Sequence, residues 1–322
     1  MAKIVLGIPE GTGRVYAGPT LVALGRGYFR EAGLDLEVVE SGGRRGSIPM
    51  LVAGELDVSP QGPSLEFFRA WNPARPIIMV ADHGSMRPGR GTGAIVARKA
   101  LLDSGELRDY ADLKGKRIGL SPLRGDHDWL TFATALRQGG LTYDDVEVVT
   151  CDFGGGRHDA LANGTIDLAT VGRPSSIAEG RDAGLFDVWK HEYEVRPGRQ
   201  QRTVMFGYDF WSQRPDEARR FVAAYLRGAR DYYGAFELGV DRDAIVDVLA
   251  RQAGASRALV NEMTPLGINP DGRINVPDVA ADLTWYQDEG LLPQPIPIER
   301  VIDHQFVEAA LAELGPYQRP SA

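Results

Sequence analysis

PEGTGRVYAGPTLVAL, residues 9–24, is the stretch that decides the fold, because it joins a short apolar strand pattern to an amphipathic helix pattern. KIVLGI, residues 3–8, is β-branched and apolar, which is typical of a strand buried on both faces. The Gly, Thr and Arg residues between Gly11 and Arg14 cannot form a core, whereas apolar residues recur at helical spacing from Leu21 to Phe29. Such a loop places unpaired backbone N–H groups at a helix N-terminus, where an anionic or polar ligand is favoured.

The alternation of strand and helix patterns continues beyond this stretch. Further strand patterns lie at 34–39, 56–58 and 77–81, and polar, Gly-containing loops follow at 41–44, 61–64 and 82–92. Ser64 is placed to cap the helix that begins after it. Alternating strands and helices predict a mostly parallel sheet covered on both faces.

A second cycle starts at Asp112 and repeats the first one weakly. Four short segments recur in the same order, which indicates two α/β lobes of like construction. The matched pairs are 6–9 with 118–122, 37–39 with 147–149, 42–44 with 155–157, and 54–58 with 164–168.

The last third of the chain changes character. A strand pattern at 203–208 is followed by helix patterns at 215–236, 241–253, 256–263, 276–289 and 304–314. Such a helical tail does not easily form a domain of its own, so it is expected to pack on the first lobe. The prediction is a discontinuous first lobe of residues 1–92 plus 200–322, and an inserted second lobe of residues 93–199.

Composition limits the possible functions. The chain has 322 residues, of which 43% are hydrophobic and 25% charged, as in a soluble globular protein. The net charge of −8 argues against a general nucleic-acid or anionic-membrane surface. Cys151 is the single cysteine, which excludes an intramolecular disulfide, and no apolar run approaches the ~20 residues of a membrane span.

The N-terminus bears on localisation. The first strand pattern begins at Lys3, with no charged and apolar leader ahead of it. The expectation is therefore either a cytoplasmic protein or a periplasmic, extracytoplasmic one whose signal has been removed.

Six segments extend this reading over most of the chain: KIVLGIP (3–9), GRGYFREAGLDLEVVESGG (25–43), LVAGELDVSPQGP (51–63), DLKGKRIGLSP (112–122), ANGTIDLATVGRP (162–174) and RPDEARRFVAAYLRGARDY (214–232). With them the chain resembles the type II solute-binding proteins, in particular the NitT/TauT and NMT1/THI5-like group. That group binds sulfonates, nitrate, pyrimidines and small aromatic acids. The resemblance implies the type II periplasmic-binding-protein fold, two doubly wound α/β lobes that close by a hinge on a ligand in the cleft between them.

The resemblance also implies which loops contact the ligand. These are the loops that follow the strands of each lobe, on the side facing the cleft. Carried onto this chain, the residues are Glu10, Thr12, Arg14, Ser41, Gly42, Gly43, Gln61, Gly62, Ser64, His83, Pro122, Arg124, Asp126, His127, Gly172, Arg173 and Ser175.

Several of these residue types allow two interpretations. In HGSMRPGRG, His83, Arg87 and Arg90 either clamp a carboxylate or sulfonate or belong to a solvated hinge loop. Asp126 is also a natural helix cap, and Trp129 either stacks on an aromatic ligand or packs in the core.

Other chemistry has weaker signals. Cys151 follows an apolar strand and is expected to behave as a small hydrophobe. Asp126, His127, Asp128 and His83 lack any recognised metal-ligand spacing, so neither a metal nor a cofactor is predicted.

Two functions follow. The first is a monomeric binding protein that passes a small anionic or aromatic solute (sulfonate, carboxylate or pyrimidine) to the permease and ATPase of an ABC-type importer. The alternative is a cytoplasmic enzyme on the same scaffold, such as an aromatic-acid decarboxylase or related lyase, with His83, His127 and Glu10 as acid-base groups. Desulfinase-like relatives place a nucleophilic cysteine near the first loop, and residues 11–20 contain none.

Overall fold

A computed structural model describes residues 1–91, 93–152, 155–172, 174–262 and 266–319. The chain forms two compact units. The first unit comprises Met1–Ser85 and Arg199–Ala322, and the second comprises Met86–Gly198.

Within the described ranges the strands are β1 (Ala2–Ile8), β2 (Leu34–Glu40), β3 (Val58–Gln61), β4 (Ile78–Ser85), β5 (Ala94–Arg98), β6 (Arg117–Leu120), β7 (Glu147–Thr150), β8 (Leu168–Val171), β9 (Phe186–His191) and β10 (Gln200–Phe206). The helices are α1 (Gly18–Gly25), α2 (Tyr28–Glu31), α3 (Gly43–Ala53), α4 (Leu65–Ala70), α5 (Lys99–Ser104), α6 (His127–Gln138), α7 (Gly155–Ala162), α8 (Pro174–Asp182), α9 (Glu192–Val195), α10 (Tyr208–Gln213), α11 (Pro215–Glu237), α12 (Arg242–Ala253), α13 (Arg257–Glu262), α14 (Val276–Asp288) and α15 (Gln305–Leu314). Short 3₁₀ helices lie at Gly11–Ala17, Tyr110–Leu113, Tyr143–Asp145 and Ile298–Arg300.

The two units contain sheets of the same topology. The first unit has a five-stranded sheet in the order β2-β1-β3-β10-β4, and the second has the order β7-β6-β8-β5-β9. In each sheet the second strand of this order, β1 or β6, is parallel to both neighbours, and the fourth strand is antiparallel to the strands beside it. The predicted α/β class and the like construction of the two halves are confirmed.

An aspartate fixes the register beside β1 and another does so beside β6. Asp57 accepts a hydrogen bond from Val5 N at 2.9 Å through its carboxylate, and its own N–H donates to Val5 O at 3.0 Å. Asp167 repeats the pair on Arg117, with 3.0 Å to the carboxylate and 2.8 Å to the carbonyl. These aspartates occupy equivalent positions in the repeated segments 54–58 and 164–168, so the sequence repeat has the same structural role in both units.

The C-terminal helices pack in the first unit, as the sequence predicted. α11 is 23 residues long and presents an apolar face to α1 and to the sheet. Phe221 of α11 stacks on Phe29 with ring centroids 4.8 Å apart and meets Phe206 of β10 edge-on at 5.7 Å. The core of this unit is therefore shared by its N-terminal and C-terminal parts.

The edge strand β4 extends further than its sequence suggests. The prediction that residues 82–85 form a flexible loop is wrong, because the structure places them inside β4, where every residue is buried. The C-terminal segment supplies the missing backbone partners, since Ser85 N donates to Gly267 O at 2.7 Å and Asp82 N donates to Gly272 O at 2.8 Å. A strand edge covered in this way no longer needs solvent to satisfy its backbone.

Gln200 ties this segment to the sheet. Its Nε2 atom donates to Asp82 Oδ1 at 2.6 Å, while its Oε1 atom accepts from Asn275 N at 2.8 Å. Asp82 Oδ2 in turn accepts from Asn269 N at 2.6 Å. A single buried amide therefore joins β4, β10 and the chain that follows α13.

Among the described residues, no helix combines the length and the apolar character needed to cross a membrane.

We predict that Gln200→Leu lowers the free energy of unfolding by about 2–4 kcal/mol, because it leaves the buried Asp82 carboxylate and Asn275 N–H short of a partner. Urea unfolding measures the loss. Gln201→Leu is the matched control, since Gln201 is the half-buried neighbour on the same strand, and we expect a change within about 0.5 kcal/mol there. Equal losses in the two variants would contradict the role given to Gln200.

Candidate functional site

Each sheet has one point where the strand order reverses. The chain passes from β1 to β2 on one side of β1 and then to β3 on its other side, and it does the same from β6 to β7 and β8. In open α/β sheets, ligands bind outside the carboxyl ends of the strands at such a switch point. The candidate sites are therefore the edge formed by Ile8 and Gln61 in the first unit and the edge formed by Leu120 and Val171 in the second.

A buried polar network lies beneath the first of these edges. Ser41 donates to Ile8 O at 3.1 Å and lies 2.6 Å from the Ser47 hydroxyl. Gln61 Nε2 donates to Ser47 Oγ at 2.9 Å and to Ser59 Oγ at 3.3 Å. The predicted residues Ser41 and Gln61 are thus brought together, whereas sequence reasoning missed Ser47 and Ser59.

The glycines and the cap at this edge have local structural reasons. Gly42 has a φ of 62°, in the left-handed region that favours glycine, and Gly43 begins α3 directly after it. A Cβ atom at Gly62 would lie 2.8 Å from Gln201 O, so β10 requires glycine there. The Ser64 hydroxyl accepts from Phe67 N at 3.4 Å, as a cap of α4 should.

The loop after β1 holds three predicted residues, Glu10, Thr12 and Arg14. Glu10 is exposed and precedes the 3₁₀ helix that contains Thr12. Arg14 donates to Glu40 Oε1 at 3.1 Å and to Gln252 O at 3.4 Å. Its guanidinium group therefore joins β2 to the end of α12, a pairing that sequence spacing could not show.

His83 is enclosed within the first unit. Its ring is 1% exposed, its Nε2 atom lies 3.0 Å from Thr20 Oγ1, and it stacks on Tyr225 with centroids 5.7 Å apart. Burial, with a contribution from the nearby positive charge of Arg202, lowers the pKa of His83 to about 3. The imidazole is therefore neutral at physiological pH.

Arg202 is a charged residue of this region that the sequence analysis missed. Its guanidinium lies 5.3 Å from the centroid of the Tyr16 ring, and its Nη1 atom donates to Pro60 O at 3.3 Å. The only sequence signal was its position just before the strand pattern 203–208, near the predicted boundary between the two lobes at residues 199 and 200. Arg202 therefore brings positive charge to the carboxyl end of β3.

Arg87 and Arg90 belong to the second unit, whereas His83 belongs to the first. The two arginines close a tight turn through reciprocal backbone hydrogen bonds of 3.0 and 2.7 Å. Their proposed role as a clamp stays a prediction.

The second unit has a buried ion pair beneath its own switch point. Arg157 pairs with Asp128, and their side chains are 1% and 0% exposed. Arg157 also donates to Thr170 Oγ1 at 2.7 Å, and Asp128 accepts from Ser121 N at 2.7 Å. Burial raises the pKa of Asp128 above its usual range, although Arg157 opposes the shift. The pair connects the carboxyl ends of β6 and β8 with the first turns of α6 and α7.

The predicted residues at the start of α6 take separate roles. Asp126 stands at the cap position, yet its side chain makes no capping bond and instead accepts from the Ser121 hydroxyl at 2.6 Å. Trp129 is 6% exposed, donates to Ser121 O at 3.0 Å and carries Arg124 over its ring at 5.2 Å. His127 Nε2 lies 3.8 Å from the buried carboxylate of Glu192.

The remaining predicted positions surround this edge more loosely. Pro122, Gly172 and Ser175 are exposed, and Arg173 lies outside the described residues. Cys151 is partly buried against the core of the unit, and burial raises the pKa of its thiol. Within the described ranges, no group of three or more His, Cys, Asp and Glu side chains is placed to hold a metal ion.

Two α/β units that repeat one sheet topology, each with polar residues at its switch point, define the class of the type II periplasmic-binding-protein fold. The family model described as NMT1/THI5 like matches residues 15–235, and the chain belongs to that family. The resemblance seen in the sequence is therefore confirmed. No curated protein has a sequence that matches this chain.

Solved structures show the same fold. The periplasmic sulfonate-binding protein SsuA from Methylobacillus flagellatus KT aligns with a TM-score of 0.74 and 20% identity, over 98% of this chain and 95% of its own. The periplasmic nitrate-binding protein NrtA from Synechocystis PCC 6803 aligns with a TM-score of 0.71 and 13% identity, over 98% and 89%. The desulfurization enzyme DSZB aligns with a TM-score of 0.64 and 17% identity, over 98% and 100%.

We predict that His83 makes the protein less stable in acid. Because the pKa of His83 in the folded state, about 3, lies below the ~6.5 of an unfolded histidine, the unfolded chain binds the extra proton. Stability is therefore lost as the pH falls from about 6.5 towards 3. Between pH 7 and 5 this one group should cost about 2 kcal/mol, as measured by urea unfolding at both pH values. Over that range His83→Gln should lose about 2 kcal/mol less stability than the wild type. If His83→Gln kept the pH dependence of stability seen in the wild type, His83 would not be the group responsible for it.

A second prediction concerns the buried ion pair. Asp128→Ala should destabilise the protein by about 3–5 kcal/mol, because it leaves the Arg157 charge buried without its partner. Thermal unfolding of the second unit reports the loss. The double variant Asp128→Leu/Arg157→Met should regain much of it, since both charges are removed together. Asp144→Asn at an exposed position serves as the control. A double variant as unstable as Asp128→Ala would contradict the interpretation.

Proposed function

We propose that the protein binds a small anionic or aromatic solute, of the sulfonate, carboxylate or pyrimidine class, and passes it to an ABC-type importer. Its partners would be the permease and ATPase of that importer, and its location would be extracytoplasmic. The observation that carries the proposal is the switch point of the first unit, where β1, β3 and the start of α3 bring together a buried polar network and the Arg202 charge.

The chemistry of this edge favours an anion. α3 begins at Gly43 directly after β2 and makes no side-chain capping bond, and the N-terminus of a helix of 11 residues attracts negative charge. Arg202 adds a cation whose planar fork suits carboxylate and sulfonate groups. The Tyr16 ring lies against the Arg202 guanidinium and helps to hold it in place.

The family and the fold support the same class of ligand. Two of the aligned structures are a sulfonate-binding and a nitrate-binding periplasmic protein, and both solutes are anions. The membership of this chain in the NMT1/THI5-like family is consistent with such a role.

The structural similarity to the desulfurization enzyme DSZB is the observation that favours the alternative function, a lyase on this scaffold. His83 is a poor acid-base group for it, because a pKa of about 3 lies far from neutral pH, where a general base works best. Residues 11–20 also contain no cysteine that could act as a nucleophile in the first loop. These observations favour binding without chemistry.

We predict that at least one compound from a panel of sulfonates, aromatic carboxylates, pyrimidines and nitrate raises the melting temperature. A ligand at ~100 times its dissociation constant adds about 2.7 kcal/mol of stability. Mass spectrometry of the recovered compound after long incubation separates the two functions. An unchanged compound supports the binding protein, and a product with altered mass would establish the enzyme instead. Absence of any stabilising compound would contradict both ligand proposals.

Arg202→Met provides a residue-level test of the same proposal. We expect this substitution to lower the affinity for an anionic ligand by about tenfold or more in calorimetric titration, because a charge-assisted hydrogen bond is lost. Arg220→Met is the matched control, since Arg220 is exposed and donates to a backbone carbonyl in the same unit. Equal affinities of the two variants for the anion would remove Arg202 from the site.

A further inference from the structure

Gln61 is the last residue of β3 and lies at the switch point of the first unit. Its side chain is 2% exposed, so its amide orientation is set by its hydrogen-bond partners. An amide carries two donors on nitrogen and two acceptor sites on oxygen, and the two ends cannot be told apart by shape. The surrounding hydroxyl groups decide which end points inward.

Ser59 determines the orientation first. Its hydroxyl lies 2.9 Å from Gly7 O, and a carbonyl oxygen can only accept, so the single proton of Ser59 is donated there. Ser59 Oγ can then only accept from the amide of Gln61, which lies 3.3 Å away. The atom of Gln61 that faces Ser59 is therefore Nε2.

Ser41 and Ser47 lead to the same result independently. Ser41 donates its proton to Ile8 O at 3.1 Å, so Ser47 donates its own proton to Ser41 across 2.6 Å. Ser47 Oγ is then an acceptor for Gln61 Nε2 at 2.9 Å. The two amide protons of Gln61 are therefore donated to Ser47 and to Ser59. The hydrogen bonds run in one direction, from Gln61 through the serines to the carbonyl oxygens of β1.

The geometry points to Gln61 as the specificity-determining residue of the first unit: we propose that it presents its amide oxygen to the ligand and selects a solute that carries an N–H or O–H donor. This inference rests on the proposed function and deepens it. Oε1 points away from the two serines because the two terminal atoms of a planar amide lie on opposite sides of its carbon. Among the described residues, none is seen to donate a hydrogen bond to it.

The consequence is a narrower ligand class. A solute with a hydroxyl group, an amino group or a ring N–H beside its acid or ring system satisfies Oε1. Nitrate and simple alkanesulfonates have no such donor at neutral pH, so on binding they would take this acceptor out of water without giving it a hydrogen bond. The site therefore discriminates by hydrogen-bond polarity as well as by charge.

Three matched pairs of compounds test this selection on the wild-type protein. They are 4-hydroxybenzoate against 4-methylbenzoate, 3-hydroxypropane-1-sulfonate against butane-1-sulfonate, and uracil against 1,3-dimethyluracil. Each pair differs in its donor while keeping a similar shape or the same ring. In calorimetric titration, we expect the donor-bearing member of any pair that binds to be about tenfold tighter or more.

Gln61→Met assigns the discrimination to this residue, because it keeps the length of the side chain and removes the amide oxygen. The affinity ratio within a pair should fall towards one. Gln213→Met is the control, since Gln213 is exposed and hydrogen-bonds to Asp209 on α10, and it should keep the wild-type ratio. Circular dichroism verifies the fold of each variant, and the wild-type comparison stands by itself if Gln61→Met fails to fold.

The outcomes separate this inference from the proposed function. If compounds of the panel bind and the two members of a pair bind equally, or the methyl member binds better, the role of Gln61 is overturned while the binding function stands. If no panel compound binds, the proposed function fails, and the donor selection fails with it. A donor preference that survives in Gln61→Met would place the selection on another residue.

Discussion

The structure depends on one interaction that occurs twice, the reciprocal pairing of an aspartate with the backbone of the first strand of its unit's repeat, β1 or β6. Asp57 and Asp167 each accept a strand N–H through the carboxylate and donate their own N–H to the carbonyl of the same residue. Arg214 also donates to the Asp57 carboxylate, and Arg117 also donates to the Asp167 carboxylate. Partial burial raises the pKa of Asp167, but the hydrogen bonds from Arg117 outweigh it and hold this pKa below its usual range. Because each aspartate forms the hydrogen bonds that a neighbouring strand would form, it fixes where β3 and β8 begin. It thereby also fixes which of their residues lie on each face of the sheet.

That register positions the chemistry at the opposite end of the same strands. β3 is only four residues long, so fixing its start also fixes Gln61 at its end. Ser59 and Gln61 are two residues apart and therefore lie on one face of the strand, where both meet the polar network. Fully satisfied networks of this kind hold their members in one arrangement, because each lost bond leaves a buried polar atom unpaired. The network is consequently held in one arrangement at the carboxyl ends of β1 and β3.

Periodicity and repetition made most of the fold predictable. The strands and the long C-terminal helices have strong local patterns, and the repeated segments at 54–58 and 164–168 indicate two similar units. The failures share a cause, since each depends on a partner distant in sequence. Residues 82–85 form a strand because the segment near Gly267 pairs with them, and Arg14 meets Glu40 and Gln252 through packing that spacing cannot reveal. Ser47, Ser59, Arg157 and Arg202 were missed for the same reason.

The sequence by itself determined the family, the alternation of strands and helices, and the loops in which polar residues gather, because these are properties of neighbours along the chain. Only the tertiary structure decided the protonation and the hydrogen-bond partners of individual side chains. It buried His83 and so kept its imidazole neutral, it buried Asp128 with Arg157, and it directed the amide nitrogen of Gln61 to Ser47 and Ser59. Protonation and hydrogen-bond direction depend on burial and on partners brought together by folding, and a linear sequence contains neither quantity.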